Sequence, residues 1–102
     1  MLLVRREIGD VLRELRQGRG HTLRQVAGRA NVALGYLSEI ERGQKEASSE
    51  ILYAIAEALG VPISQIMREV SDRLASIEQV QIPDTVPAEF FSAIEDDFSS
   101  LR

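Results

Sequence analysis

Apolar residues recur at intervals of three and four along most of this chain, and no stretch alternates with the period of two that a half-buried strand requires. Ile8, Val11, Leu12 and Leu15 mark the inner stripe of a first helix, which Gly18 and Gly20 bring to an end. Thr22 is placed to cap a second helix with Leu23, Val26, Ala27 and Ala30 facing inward, and Asn31 suits a left-handed exit. A third helix starts near Ala33 or Leu34 and stops at Gly43, where the lack of a β-carbon fits a left-handed terminus. Ser48 or Ser49 can cap a fourth, with Glu50 near its positive end, Ile51, Leu52, Ile55 and Leu59 inward, and Gly60 closing it.

Past Pro62, the residues Ile63, Ile66, Met67, Val70, Leu74 and Ile77 describe a fifth helix, longer than a small bundle needs. From Gln81 the text becomes "QIPDTVPAEFFSAIEDDFSSLR". Pro83 and Pro87 interrupt any continuous helix there, before an acidic segment in which Phe90, Phe91, Ile94 and Phe98 again keep helical spacing. With 102 residues there is room for one modest core and an appendage. The expected division is an all-α domain over residues 6–69, followed over 70–102 by the continuation of the fifth helix and the acidic, aromatic segment.

The third helix has a face that a core would not require. Leu37 and Ile40 point one way, and Gly35, Ser38, Glu39 and Arg42 the other. A short helix, a tight turn and a second short helix with a polar outer face form the helix-turn-helix arrangement, whose second helix lies in the DNA major groove. There Glu39 can accept from a cytosine amino group, Ser38 can donate or accept, Leu34 can touch a thymine methyl, and Gly35 permits close approach. Arg42 and Lys45 fit phosphates better.

Charge bears on that reading, because the net −4 is an average over unlike halves. Residues 1–47 hold nine Lys or Arg against six acids, whereas residues 48–102 hold three against ten. This suits a first half that meets a polyanion, although two ordinarily solvated surfaces would give the same counts. The chain has no cysteine, which excludes disulfides and a thiolate zinc site. His21, the one histidine, sits between Gly20 and the cap Thr22 as a solvated loop residue, and Glu95, Asp96 and Asp97 read as solvated carboxylates. Without cysteine or a glycine-rich phosphate motif, and with a single loop histidine, the chain is not expected to be an enzyme or to need a metal or cofactor. The opening "MLLVRREIGD" has too short an apolar run for a signal peptide, and no window reaches the length of a membrane span. A cytoplasmic protein with no membrane partner is expected.

The run "TLRQVAGRANVALGYLSEIERGQK", followed by "SSEILYAIAEALGVP", resembles the lambda Cro and repressor-like (XRE) helix-turn-helix family, from about Ile8 to Met67. Together with "VRREIGDVLRELR", the stretches "GYLSEIERG" and "EILYAIAEALGVP" are similar to the actinobacterial Clp-gene regulators, which activate transcription of protease genes. The resemblance implies a five-helix lambda-repressor-like domain with a C-terminal helical extension for dimerisation, and double-stranded DNA as partner. It places Leu34, Gly35, Ser38 and Glu39 at base-contacting positions, and Thr22, Arg24, Arg42, Gln44 and Lys45 at phosphate-contacting ones. Tyr36, flanking them, either meets a phosphate or packs its ring on the turn. Arg16 and Glu41 match a pair that commonly fixes the recognition helix. There are departures: Ala33 stands where relatives often have Ser or Thr as a cap, Ala47 where many have proline, and the reading face has no Arg or Gln for bidentate base contacts. DNA shape and backbone contacts are then expected to carry more of the readout.

A helix-turn-helix monomer covers a half-site, and two related by a twofold axis read a palindrome with centres about 34 Å apart or a multiple of it. A homodimer is therefore expected, with Val70, Leu74, Ile77, Phe90, Phe91 and Ile94 as its apolar interface. An activator would also meet RNA polymerase; the sign of regulation depends on operator position and stays open. The alternative is an antitoxin-type DNA-binding protein whose acidic C-terminal segment wraps a basic partner protein.

Overall fold

The structure, a computed structural model, describes residues 3–78. Five helices follow one another: α1 (Val4–Gly18), α2 (Leu23–Ala30), α3 (Leu34–Glu41), α4 (Ser49–Leu59) and α5 (Ile63–Glu78). Among the described residues there is no strand, and the architecture is all-α. No single helix among them is long and apolar enough to cross a membrane.

Local chemistry explains where the helices begin and end. The Thr22 side chain accepts from the Gln25 N–H at 3.1 Å while the Thr22 N–H donates to Gln25 Oε1 at 2.9 Å, a reciprocal capping box. Asn31 leaves α2 with φ +56°, and Ser48 accepts from the Ile51 N–H at 3.3 Å to start α4. Ala33 precedes α3 without a side-chain cap. α3 therefore has the poorest start of the three central helices, and tertiary contacts hold it instead.

The core is the union of the inner stripes: Val11, Leu12 and Leu15 of α1, Val26, Ala27 and Ala30 of α2, Leu37 and Ile40 of α3, Ile55, Ala56 and Leu59 of α4, and Ile66 and Val70 of α5, closed by Val61. α1 is the common support, with α3 and α5 both packed on it. Its approach to α3 depends on Gly9, because a β-carbon there would stand 2.6 Å from the Glu41 carbonyl oxygen and collide with that of Ile40. Gly43, at φ +73°, ends the α3 turn against α1, where a β-carbon would lie 2.8 Å from Arg6 Cα.

The apolar outer surface expected of the fifth helix needs correction at Val70. At 5% exposure it belongs to the chain's own core, because α1 begins at Val4 and so extends far enough to cover this part of α5. Leu74 packs partly against that core, while Ile77 is 48% exposed. α5 is continuous through residues 69 and 70, so the division drawn there falls inside a helix. Phe90, Phe91 and Ile94 lie outside the described residues.

Candidate nucleic-acid interface

α3 has one face locked and one free. Leu37 and Ile40 are fully buried, whereas Leu34 and Gly35 are exposed and Ser38 and Glu39 half-exposed on the other side. A β-carbon on Gly35 would meet nothing within 4 Å, so no internal packing requires glycine there.

The far end of α3 is fixed by a forked ion pair. Arg16 Nε donates to Glu41 Oε2 at 2.8 Å and Nη2 to Oε1 at 2.9 Å, while Nη1 donates to the His21 carbonyl at 3.0 Å. Glu41 is 7% exposed and the Arg16 side chain 14%, so each charge depends on the other for its solvation. Hydrogen bonding to Glu41, opposed by burial and reinforced by its charge, raises the Arg16 pKa, and the guanidinium stays charged at any working pH. Two further ties secure the following turn: Arg5 Nε donates to the Gly43 carbonyl at 2.9 Å, and the Tyr36 hydroxyl donates to the Glu46 carbonyl at 3.1 Å. Tyr36 thus packs its ring on the core's edge, with its hydroxyl proton already engaged.

Two segments that flank the turn and α3 carry exposed polar groups. Arg42, Gln44 and Lys45 follow α3, and Thr22 and Arg24 open α2. Arg24, Arg42 and Lys45 enter no ion pair among the described residues, which leaves three cations to meet an external anion. Arg42 is only loosely tethered, by a 3.4 Å contact from Nε to the Ser38 carbonyl. Thr22 uses its hydroxyl oxygen as acceptor in the capping box, so its O–H can still donate outward. The positions expected to meet bases are therefore solvent-facing on α3, and those expected to meet phosphates are exposed, Tyr36 excepted.

Sequence reasoning missed Arg5, Gly9 and Gln25. Gln25 was legible, since Thr-x-x-Gln is the spacing of a capping box. It also missed Arg73, whose guanidinium spans Glu7, Asp10 and Glu14 at 3.3, 3.2 and 2.9 Å. The regular spacing of those three acids on one side of α1 was the available signal.

The Helix-turn-helix family model matches residues 12–66. The chain belongs to the XRE-type helix-turn-helix family. The transcriptional regulator ClgR of Mycobacterium tuberculosis is 53% identical over 78 residues, covering 76% of this chain and 70% of the relative. The crystal structure of the clp gene regulator ClgR from Corynebacterium glutamicum superposes with a TM-score of 0.70 at 41% identity, over 74% of this chain and 97% of that one. The restriction-modification controller protein C.AhdI from Aeromonas hydrophila gives a TM-score of 0.60 at 27% identity, over 61% of this chain and 94% of that one. In this DNA-binding helix-turn-helix domain, α2 and α3 occupy the places of the motif's first and second helices.

Proposed function

We propose that this chain is a cytoplasmic, sequence-specific transcriptional regulator that binds a palindromic operator as a homodimer and activates Clp protease genes. The observation that carries the DNA-reading role is α3 itself, an eight-residue helix locked by Leu37, Ile40 and the Arg16–Glu41 fork while its opposite side is free. Leu34, Gly35, Ser38 and Glu39 would meet base edges, and Thr22, Arg24, Arg42, Gln44 and Lys45 the flanking phosphates. Tyr36 would reach a phosphate only by turning its O–H away from the Glu46 carbonyl, and otherwise serves to hold the turn. With no Arg or Gln on the reading face, groove shape supplies much of the discrimination. Clp genes as targets are supported by the likeness to the two ClgR proteins, one of them described as a clp gene regulator. The dimer would form through Leu74 and Ile77 together with Phe90, Phe91 and Ile94, and activation would bring RNA polymerase to the complex.

Selection of bound sequences from a random duplex library tests this, followed by a reporter fused to the recovered site. An enriched palindrome with half-sites about one helical turn apart, found upstream of Clp genes and raising reporter output, is the expected result. Failure to enrich any sequence at any salt concentration would refute DNA reading. An enriched site away from Clp genes would refute only the target.

A further inference from the structure

α1 presents polar groups on two opposite sides. Arg5, Gly9 and Arg16, spaced by four and seven, turn toward α3 and the turn after it: Arg5 donates to the Gly43 carbonyl at 2.9 Å, Gly9 abuts the Glu41 carbonyl, and Arg16 grips the Glu41 carboxylate at 2.8 Å. Glu7, Asp10 and Glu14 turn the other way, where Arg73 of α5 reaches all three at 3.3, 3.2 and 2.9 Å. α5 packs on α1 more extensively than on any other helix, so the direction of α5 relative to α3 is transmitted largely through α1.

As a stabilising device the cluster is poorly balanced. One cation faces three carboxylates, and Asp10 and Glu14, at 40% and 66% exposure, are too solvated to contribute much. Geometry is what it supplies. A planar guanidinium that places a different nitrogen on each of three residues along α1 accepts one rotation and one register of α5. Arg73 does this within one turn of Leu74 and Ile77, the apolar groups at the end of the described helix.

We propose that Arg73 is a positioning residue for operator recognition, whose three-point grip on α1 sets the half-site separation that the dimer accepts. This rests on the homodimeric, palindrome-reading function proposed above. If two chains pair through the end of α5, a change in its angle is doubled by the twofold axis and carried along α1 to both reading helices. Lengthening or shortening the operator by one base pair moves a half-site by about 3.4 Å and rotates it by about a tenth of a turn, which a stiff dimer rejects and a loose one tolerates.

The test uses the full chain and operators recovered by selection, with the central spacer as found, one base pair longer and one shorter, together with an isolated half-site. Arg73→Met is compared with the double variant Glu7→Gln/Arg73→Met, which leaves no unpaired charge at the buried Glu7 position and so guards against simple unfolding. Wild type should prefer its own spacing by about tenfold or more. Both variants should reduce that preference to about threefold or less while their affinity for the isolated half-site is unchanged. A folded variant that keeps the wild-type spacing preference, or that loses affinity equally for every duplex including the half-site, would overturn the positioning role alone. Wild type indifferent to spacing would overturn this inference, and wild type that binds the isolated half-site as tightly as the palindrome would overturn the homodimer reading with it.

Discussion

Glu39 tests whether the free side of α3 reads bases. A carboxylate accepting from a cytosine amino group carries sequence information, so Glu39→Ala should relax preference at one base position and leave others as they are. Repeating the duplex selection with the variant checks this; an unchanged preference and affinity would remove Glu39 from the interface. Arg16 would act one step back from the DNA, through its fork to Glu41. Replacing it with methionine leaves the Glu41 carboxylate buried without a counter-charge, a loss of about 3–5 kcal/mol. For a domain of this size that corresponds to a fall in Tm on the order of 15 °C or more. A thermal melt followed by circular dichroism decides it, and a fall of only a few degrees would mean that the fork contributes little. The pair was legible because the resemblance supplied both partners at matching positions. Of the Arg73 cluster only the acid stripe was legible, from the spacing of Glu7, Asp10 and Glu14, since knowing that Arg73 meets it requires the rotation of both helices.

At the level of helices, α3 combines two weaknesses that another sequence could avoid, an uncapped start at Ala33 and a glycine at its second position. Ala33 has φ −64° and ψ 138°, an extended geometry suited to a capping residue, so Ala33→Ser should stabilise the free protein by about 1 kcal/mol. A Tm gain of about 4–8 °C is the expected reading, and no gain would show that the α3 terminus is satisfied some other way. Gly35→Ala should also raise the Tm, because propensity improves by up to about 1 kcal/mol and the added methyl meets no protein atom within 4 Å. If glycine is there for close approach to the groove, the same variant weakens operator binding while stabilising the chain. Opposite signs in melting and affinity are the expected outcome, and a variant improved in both would end the close-approach account. All five helices were legible from the recurrence of apolar residues and the capping and left-handed termini. Val70 was misjudged because periodicity shows which residues share a stripe, not how far a neighbour extends along it; the Val4 start of α1 decides that. Gly9 escaped notice for a related reason, since a glycine at a helix crossing has no local signature.

For the whole molecule, the question is how a chain of net charge −4 binds a polyanion. Binding is governed by the charges within a Debye length of the phosphates, about 8 Å at physiological ionic strength, so the excess acid beyond residue 47 is screened if it lies on the far side. Arg24, Arg42 and Lys45, free of ion pairs among the described residues, are the cations that would displace counterions. Three such contacts per protomer give a slope of log K against log salt of about −2.7 for a half-site, and about −5.4 for a palindrome occupied by two copies. Lys45→Ala should lower the magnitude by about 1 for each protomer bound, while leaving the ranking of sequences unchanged. Fluorescence anisotropy of labelled duplexes between 50 and 200 mM salt measures both slopes. The ratio between them is more informative than either value, because omitted or partial contacts scale both equally. A ratio near two identifies two protomers making equivalent contacts. A ratio near one would mean that the second half-site is not engaged, and would return the chain to a monomer that recognises DNA through one copy of α3.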